Sequence, residues 1–191
     1  PFVSTGIRSL RYGLWGLSGF PMEGSPIGFS TILKGSPLNG REEAKSMEHT
    51  RSGSDIFLRL DPGDELHASI QAVCQSEGVS GAAITSGIGR VRDTDIGYLG
   101  DDGIYQRVVL PEGNELLSMQ GNVSVLDGEP FTHIHIVLSD DDHDVHGGHL
   151  FSSIVHVTAE IHIRVLEKNV RVPMTRCSVP GSEFKPLSFE E

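Results

Sequence analysis

Several things are scarce in this chain, and each scarcity excludes something. Of 191 residues two are cysteine, Cys74 and Cys177, far apart and in no CxxC unit. They allow one disulfide at most, so neither a disulfide framework nor a cysteine-built zinc knuckle is available. Their rarity fits a reducing compartment, and a cytoplasmic location is the expectation. No apolar run approaches the roughly 20 residues that a membrane-spanning helix needs. Cations are short as well: 15 Lys and Arg face 26 Asp and Glu, a net charge of −11. The deficit is uneven, five basic against four acidic residues over 1–50 and ten against twenty-two over 51–191. Non-specific nucleic-acid binding works by cations displacing counterions from phosphates. Direct nucleic-acid binding is therefore not expected, and an anionic membrane surface is disfavoured for the same reason.

What is present divides at about residue 50. Residues 1–50 are rich in Gly, Pro and Ser without a sustained period of 3.6 or 2, and they begin with proline. They are read as a flexible leader or a non-native extension, with Met47 an alternative start. A signal peptide is the weaker reading, since only "YGLWGLSGF" follows Arg8 and Arg11, with no small-residue cleavage motif. The remainder, 51–191, is long enough for one domain with its own core, and 37% hydrophobic with 21% charged residues is ordinary globular composition. "IFLRL" predicts a strand and "DPGDELHASIQAVCQSEG" a helix. In the helix Asp61 would cap, Pro62 take the first position and Asp64 add charge to the first turn. Leu66, Ile70, Val73 and Cys74 would share its buried face, and Gly78 would end it. Six further strand-like runs, separated by signals such as "DDG" and "LDGEP", predict strands. The expected class is α+β with a central, largely antiparallel sheet and flanking helices.

Five of the nine histidines fall in "FTHIHIVLSDDDHDVHGGHL", residues 131–150. Alternate residues of a strand share a face, so His133 and His135 point one way and Ile134 and Ile136 the other. Two same-face imidazoles offer two metal ligands. His149, fourteen residues after His135 and preceded by Gly147 and Gly148, offers a third if the intervening loop folds back. Three neutral imidazoles leave a fourth position open, as in catalytic rather than structural zinc sites. His-only ligation also suits nickel, copper or iron, so the cofactor is read as zinc or another divalent transition metal. A strand with one wet polar face and a solvated acidic loop gives the same pattern without any ion. His146 is an alternative third ligand. The acidic loop is no calcium site, because Val145 stands where an EF-hand loop needs glycine and Phe151 where it needs glutamate.

Two more motifs bear on chemistry. "VHVTAEIHIRV" alternates an apolar face with His156, Thr158, Glu160, His162 and Arg164. If that strand flanks the histidine strand, Glu160 could orient a ligand or act as general base on bound water, which makes it the candidate catalytic residue. "SGIGR", residues 86–90, carries GxG with no helix after it and is read as a tight turn.

"LRLDPGDEL", "GAAITSGIG", "LLSMQGNVSVLDGEPFTHIHIVLSD", "GGHL" and "VTAEI", in this order between about Phe57 and Val165, resemble the plants-and-prokaryotes conserved (PPC) domain. The resemblance implies a compact α/β domain over 51–191 with a central antiparallel sheet, assembling as a homotrimer. It also implies a metal, typically zinc, on His133, His135 and His149, with a small-molecule ligand possible at the open position. The fold it implies is similar to that of acetolactate decarboxylase, where a three-histidine zinc acts as a Lewis acid; that is a likeness of fold and site alone. Plant members carry an AT-hook, but the Arg-Gly-Arg core that such a hook needs is missing here. A metal-dependent enzyme or small-molecule binder is thus the first functional reading. A non-enzymatic trimeric regulatory or DNA-associated module is the alternative.

Overall fold

The computed structural model describes residues 47–166 and 174–189. Within them the chain forms β1 (Glu48–Ser52), β2 (Asp55–Leu60), α1 (Leu66–Ser76), β3 (Ala82–Leu99), β4 (Tyr105–Leu110), β5 (Asn114–Leu126), β6 (Glu129–Ser139), β7 (Val145–Val165), β8 (Thr175–Arg176) and β9 (Leu187–Ser188). All nine strands belong to one sheet. Every strand pair is antiparallel except β5 with β8, so the sheet is mixed but dominated by antiparallel pairing, as expected. β6 pairs with both β5 and the start of β7, and β3 pairs with both β5 and β7. Those four strands therefore close into a ring. The long members bend to do so, and β3 slips register against β7 at four places, the ordinary way to curve a strand.

The expected flanking helices reduce to one, α1, among the described residues. The long segments after Gly81, such as 131–138, alternate with period 2, which buries one face of a strand and gives a helix no apolar stripe. Leu66, Ile70, Val73 and Cys74 are buried as read, and Gly78 follows the helix at φ +64°, the left-handed terminator. Its start is later than expected. Asp61–Asp64 are held as an irregular extension against β7, Gly63 N donating to Val155 O and Val155 N to Asp64 O. The helix cannot begin until those bonds end, so Glu65 is the cap, its carboxylate accepting from Ala68 N at 2.7 Å.

One boundary moves as well, and one expected turn is absent. Strand pairing starts at Glu48, three residues inside the expected leader, because Glu48–Ser52 pairs residue for residue with Asp55–Arg59. Residues 1–46 of that leader lie outside the described residues. "SGIGR" is no turn but the interior of β3. A Cβ on Gly89 would lie 2.1 Å from Thr158 O, so glycine there lets β3 press against β7. The core holds Ile84, Val91, Leu116, Met119, Val123, Ile134, Ile136, Leu138, Leu150, Val155 and Ile161, with Leu66, Ile70 and Val73 of α1 packed into it.

Candidate metal centre

Alternation along β6 buries Ile134, Ile136 and Leu138 and turns His133 and His135 to the opposite face. The third histidine arrives differently from the sequence expectation. His149 is not on a returning loop but inside β7, directly across from His135 in antiparallel register. The turn between the strands is only the short acidic segment 140–144. Gly147 and Gly148 are no hinge either. A Cβ on Gly147 would stand 2.9 Å from Ile136 O, and one on Gly148 2.9 Å from Gly97 O, so these glycines let β7 lie close to β6 and β3. Cross-strand pairing, rather than a flexible loop, sets where His149 stands.

The three rings converge. Their centroids are separated by 5.1 Å (His133–His135), 4.9 Å (His133–His149) and 5.5 Å (His135–His149). One ring nitrogen from each lies within 4.8 Å of the others. A tetrahedral zinc with bonds of about 2.0–2.1 Å holds its nitrogens about 3.3 Å apart, within reach of small side-chain rotations. Burial, then the charge of nearby Arg176 and His135, pushes His133 down to about 4. Burial, then His133 and His135, does the same to His149. Both rings are neutral at pH 7, the state in which imidazole binds a metal. Nδ1 of His149 is buried with no hydrogen-bond partner among the described residues. A stranded polar atom of this kind costs free energy unless something binds it, and the donor set therefore fits a metal ion.

A cavity of about 350 Å³ opens beside the cluster, walled by His67, Tyr105, Phe131, His133, His149 and Arg176 among others. Tyr105 of β4 stacks on the His149 ring at 4.8 Å, and Phe151 packs edge-on to it at 4.9 Å. Burial and the nearby Glu183 push the Tyr105 phenol up, so it stays protonated. His67 of α1 is pushed down by burial and held by its surroundings: Nε2 donates to Leu150 O at 3.1 Å and Nδ1 accepts from Thr132 Oγ1 at 2.6 Å. Arg176 of β8 donates to Asn122 Oδ1 at 2.7 Å, Lys185 O at 2.6 Å, Ser124 Oγ at 3.2 Å and His133 Nδ1 at 3.2 Å.

His67, Tyr105 and Arg176 had no place in the sequence reading. His67 and Gln71 share a helix face one turn apart beside the apolar stripe, a signal that was there to find. Nothing near Arg176 or Tyr105 in the sequence marks them.

The remaining candidates lie elsewhere. His146 is engaged by Asp140, Nε2 to Oδ2 at 2.8 Å, and is not in the converging group. Glu160 does not face the cluster. It sits on the same strand as His149, eleven residues on and about 35 Å of chain away at ordinary strand rise. There it pairs with Arg59 and Ile88 and lines a shallow depression with Glu48, Phe57 and Ile161. The strand that carries Glu160 does flank the histidine strand, but only through its first residues, Val145–His149, while Glu160 lies where β7 pairs with β2 and β3 instead.

A sequence model of the Plants and Prokaryotes Conserved domain matches residues 47–167, more than half of the chain. No curated protein matches it by sequence. Among solved structures, a metal-containing protein from Archaeoglobus fulgidus is 34% identical, with 75% of this chain and 99% of that one covered and a TM-score of 0.64. A plant- and prokaryote-conserved protein from Pyrococcus horikoshii is 30% identical, with 78% and 96% covered and a TM-score of 0.62. A Bacteroides thetaiotaomicron protein, named as a candidate DNA-binding protein, shares the fold at 20% identity, with 77% and 100% covered and a TM-score of 0.69.

Proposed function

The chain belongs to the Plants and Prokaryotes Conserved domain family, and from that membership and its own site we propose that it is a metal-binding protein with a three-histidine, open-coordination centre. The observation that carries the proposal is the convergence of His133, His135 and His149, joined by a buried His149 Nδ1 with no hydrogen-bond partner among the described residues. Neutral nitrogen ligands without cysteine suit zinc first, then nickel, copper or iron. A divalent metal with an open position would polarise a carbonyl or acidify a bound water, the chemistry of an enzyme or small-molecule binder. A relative described as metal-containing supports the reading. Assembly as a homotrimer is part of the same proposal, as is a small ligand in the adjoining cavity.

The test is metal content by mass spectrometry on protein purified without a polyhistidine tag. We expect close to one metal per chain in the wild type and under a tenth of that in His133→Ala. Sub-stoichiometric metal in both proteins would end the reading. A DNA-associated module, the rival, predicts a gel shift that survives physiological salt; at a net charge of −11 we expect none. No described helix is long and apolar enough to cross a membrane.

A further inference from the structure

Arg176 is 8% exposed, yet no carboxylate lies within ion-pair distance of it among the described residues. Every acceptor that it finds is neutral: a serine hydroxyl, an amide oxygen, a backbone carbonyl and an imidazole nitrogen. Its guanidinium also faces the Phe131 ring, at 5.8 Å from the centroid. Arginine does not lose its proton in proteins. A full positive charge is thus held largely out of water, with no countercharge among the described residues, in the wall of the cavity that the histidines share. Such a charge is costly unless an anion joins it. Lys185 lines the same cavity, and the one carboxylate there among the described residues, Glu183, already accepts from Tyr105 N at 2.8 Å through Oε2.

The contact between Arg176 and His133 gives this charge a second property. A neutral imidazole has one lone pair. If His133 gives that pair to a metal through Nδ1, the Arg176 hydrogen bond is lost. If it gives the pair through Nε2, the ring proton moves to Nδ1, which can no longer accept. Either way a neutral His133 cannot serve both partners, and metal loading frees one N–H on the second terminal nitrogen of Arg176. The first terminal nitrogen already has one N–H to spare, since Lys185 O is its sole acceptor among the described residues. One N–H on each terminal nitrogen is what the two oxygens of a carboxylate take.

We propose that Arg176 is the anion-binding residue of this site, and that the cavity takes a small carboxylate whose binding is switched on when His133 is engaged by metal. The inference rests on the metal-binding reading and adds to it the charge and class of the ligand. Arg176 lies outside the 47–167 family match, so the subsite is supplied by this chain's C-terminal segment.

The experiment titrates acetate by calorimetry into the full chain, zinc-loaded and metal-free, with zinc content measured in each sample. We expect acetate to bind the zinc-loaded wild type at least tenfold more tightly than the metal-free protein, and acetamide, its neutral isostere, to bind neither. Arg176→Gln should keep its zinc and lose acetate affinity at least tenfold. Arg176→Lys, which retains the charge without the fork, should fall between, with folding of both variants checked by circular dichroism. The acetate and acetamide comparison needs no variant, so a folding failure leaves the test intact. Equal acetate binding with and without zinc, undiminished binding in Arg176→Gln, or sulfate binding as tightly as acetate would overturn the proposal. A wild type that takes up no zinc would instead overturn the metal reading beneath it.

Discussion

Replacing His149 by phenylalanine should have opposite effects with and without metal. In the metal-free protein Nδ1 of His149 is buried with no partner among the described residues, and its ring lies 4.8 Å from that of Tyr105 and 4.9 Å from that of Phe151, centroid to centroid. An unsatisfied buried polar atom costs about 1–3 kcal/mol, and an apolar ring of similar shape removes that cost while keeping the aromatic contacts. Unfolding entropy is about 2.1 cal/mol/K per residue, or about 0.29 kcal/mol/K for the roughly 136 described residues. Metal-free His149→Phe should therefore melt about 3–10 °C above the metal-free wild type. With zinc at about a thousand times its Kd, the wild type gains about 4 kcal/mol, or about 14 °C, and the variant, with one ligand gone, gains little. Differential scanning calorimetry in chelator and in zinc gives all four melting temperatures. If His149→Phe melts lower than the wild type in chelator and zinc raises both alike, Nδ1 of His149 is neither an unmet polar group nor a ligand.

Four other outcomes follow from the same geometry. Protonation should destabilise the metal-free protein: His133 and His149 are pushed down to about 4, while unfolded imidazoles titrate near 6.5. As pH falls below about 6.5 the unfolded chain binds protons first, so stability should drop steadily towards pH 4; a flat profile in urea melts between pH 7.5 and 4.5 would contradict the burial of these rings. Gly121→Ala places a Cβ 2.0 Å from His133 O, so β6 must move and carry His133 with it; we expect a loss of about 1–3 kcal/mol together with weaker metal retention, read by denaturant titration and metal analysis. Glu160→Gln should leave metal content and metal-dependent melting unchanged, since Glu160 lines a separate depression. His146→Ala should likewise keep its metal, because Asp140 rather than the cluster engages that ring; loss of metal in this variant would restore His146 as a ligand.

Face selection along β6 was legible at once. Alternating Thr132, Ile134, Ile136 and Leu138 with Phe131, His133, His135 and Val137 leaves one way to bury the apolar set, and two histidines are then presented together. The α1 stripe and its glycine stop were legible for the same kind of reason, since both depend on residues within one or two turns. Its start was not. Asp61 and Pro62 make a good local cap, and the bonding of Gly63 and Asp64 to Val155, some ninety residues away, overrode that preference. Glu160 was misplaced through a similar gap: strand periodicity tells which face a residue takes, not which end of the sheet its strand has reached.

Residue type and spacing along one strand were enough for the period-2 strands, the nitrogen-rich character of the histidine cluster and the net negative charge, because each is a local property of the chain. That His149 stands opposite His135, that Tyr105 stacks on it, and that Arg176 reaches His133 across 43 residues emerged from the fold alone. Those contacts are set by strand register and ring closure across 14 to 44 residues. No local pattern encodes them, since the free energy that selects one register over another comes from burying the whole core at once.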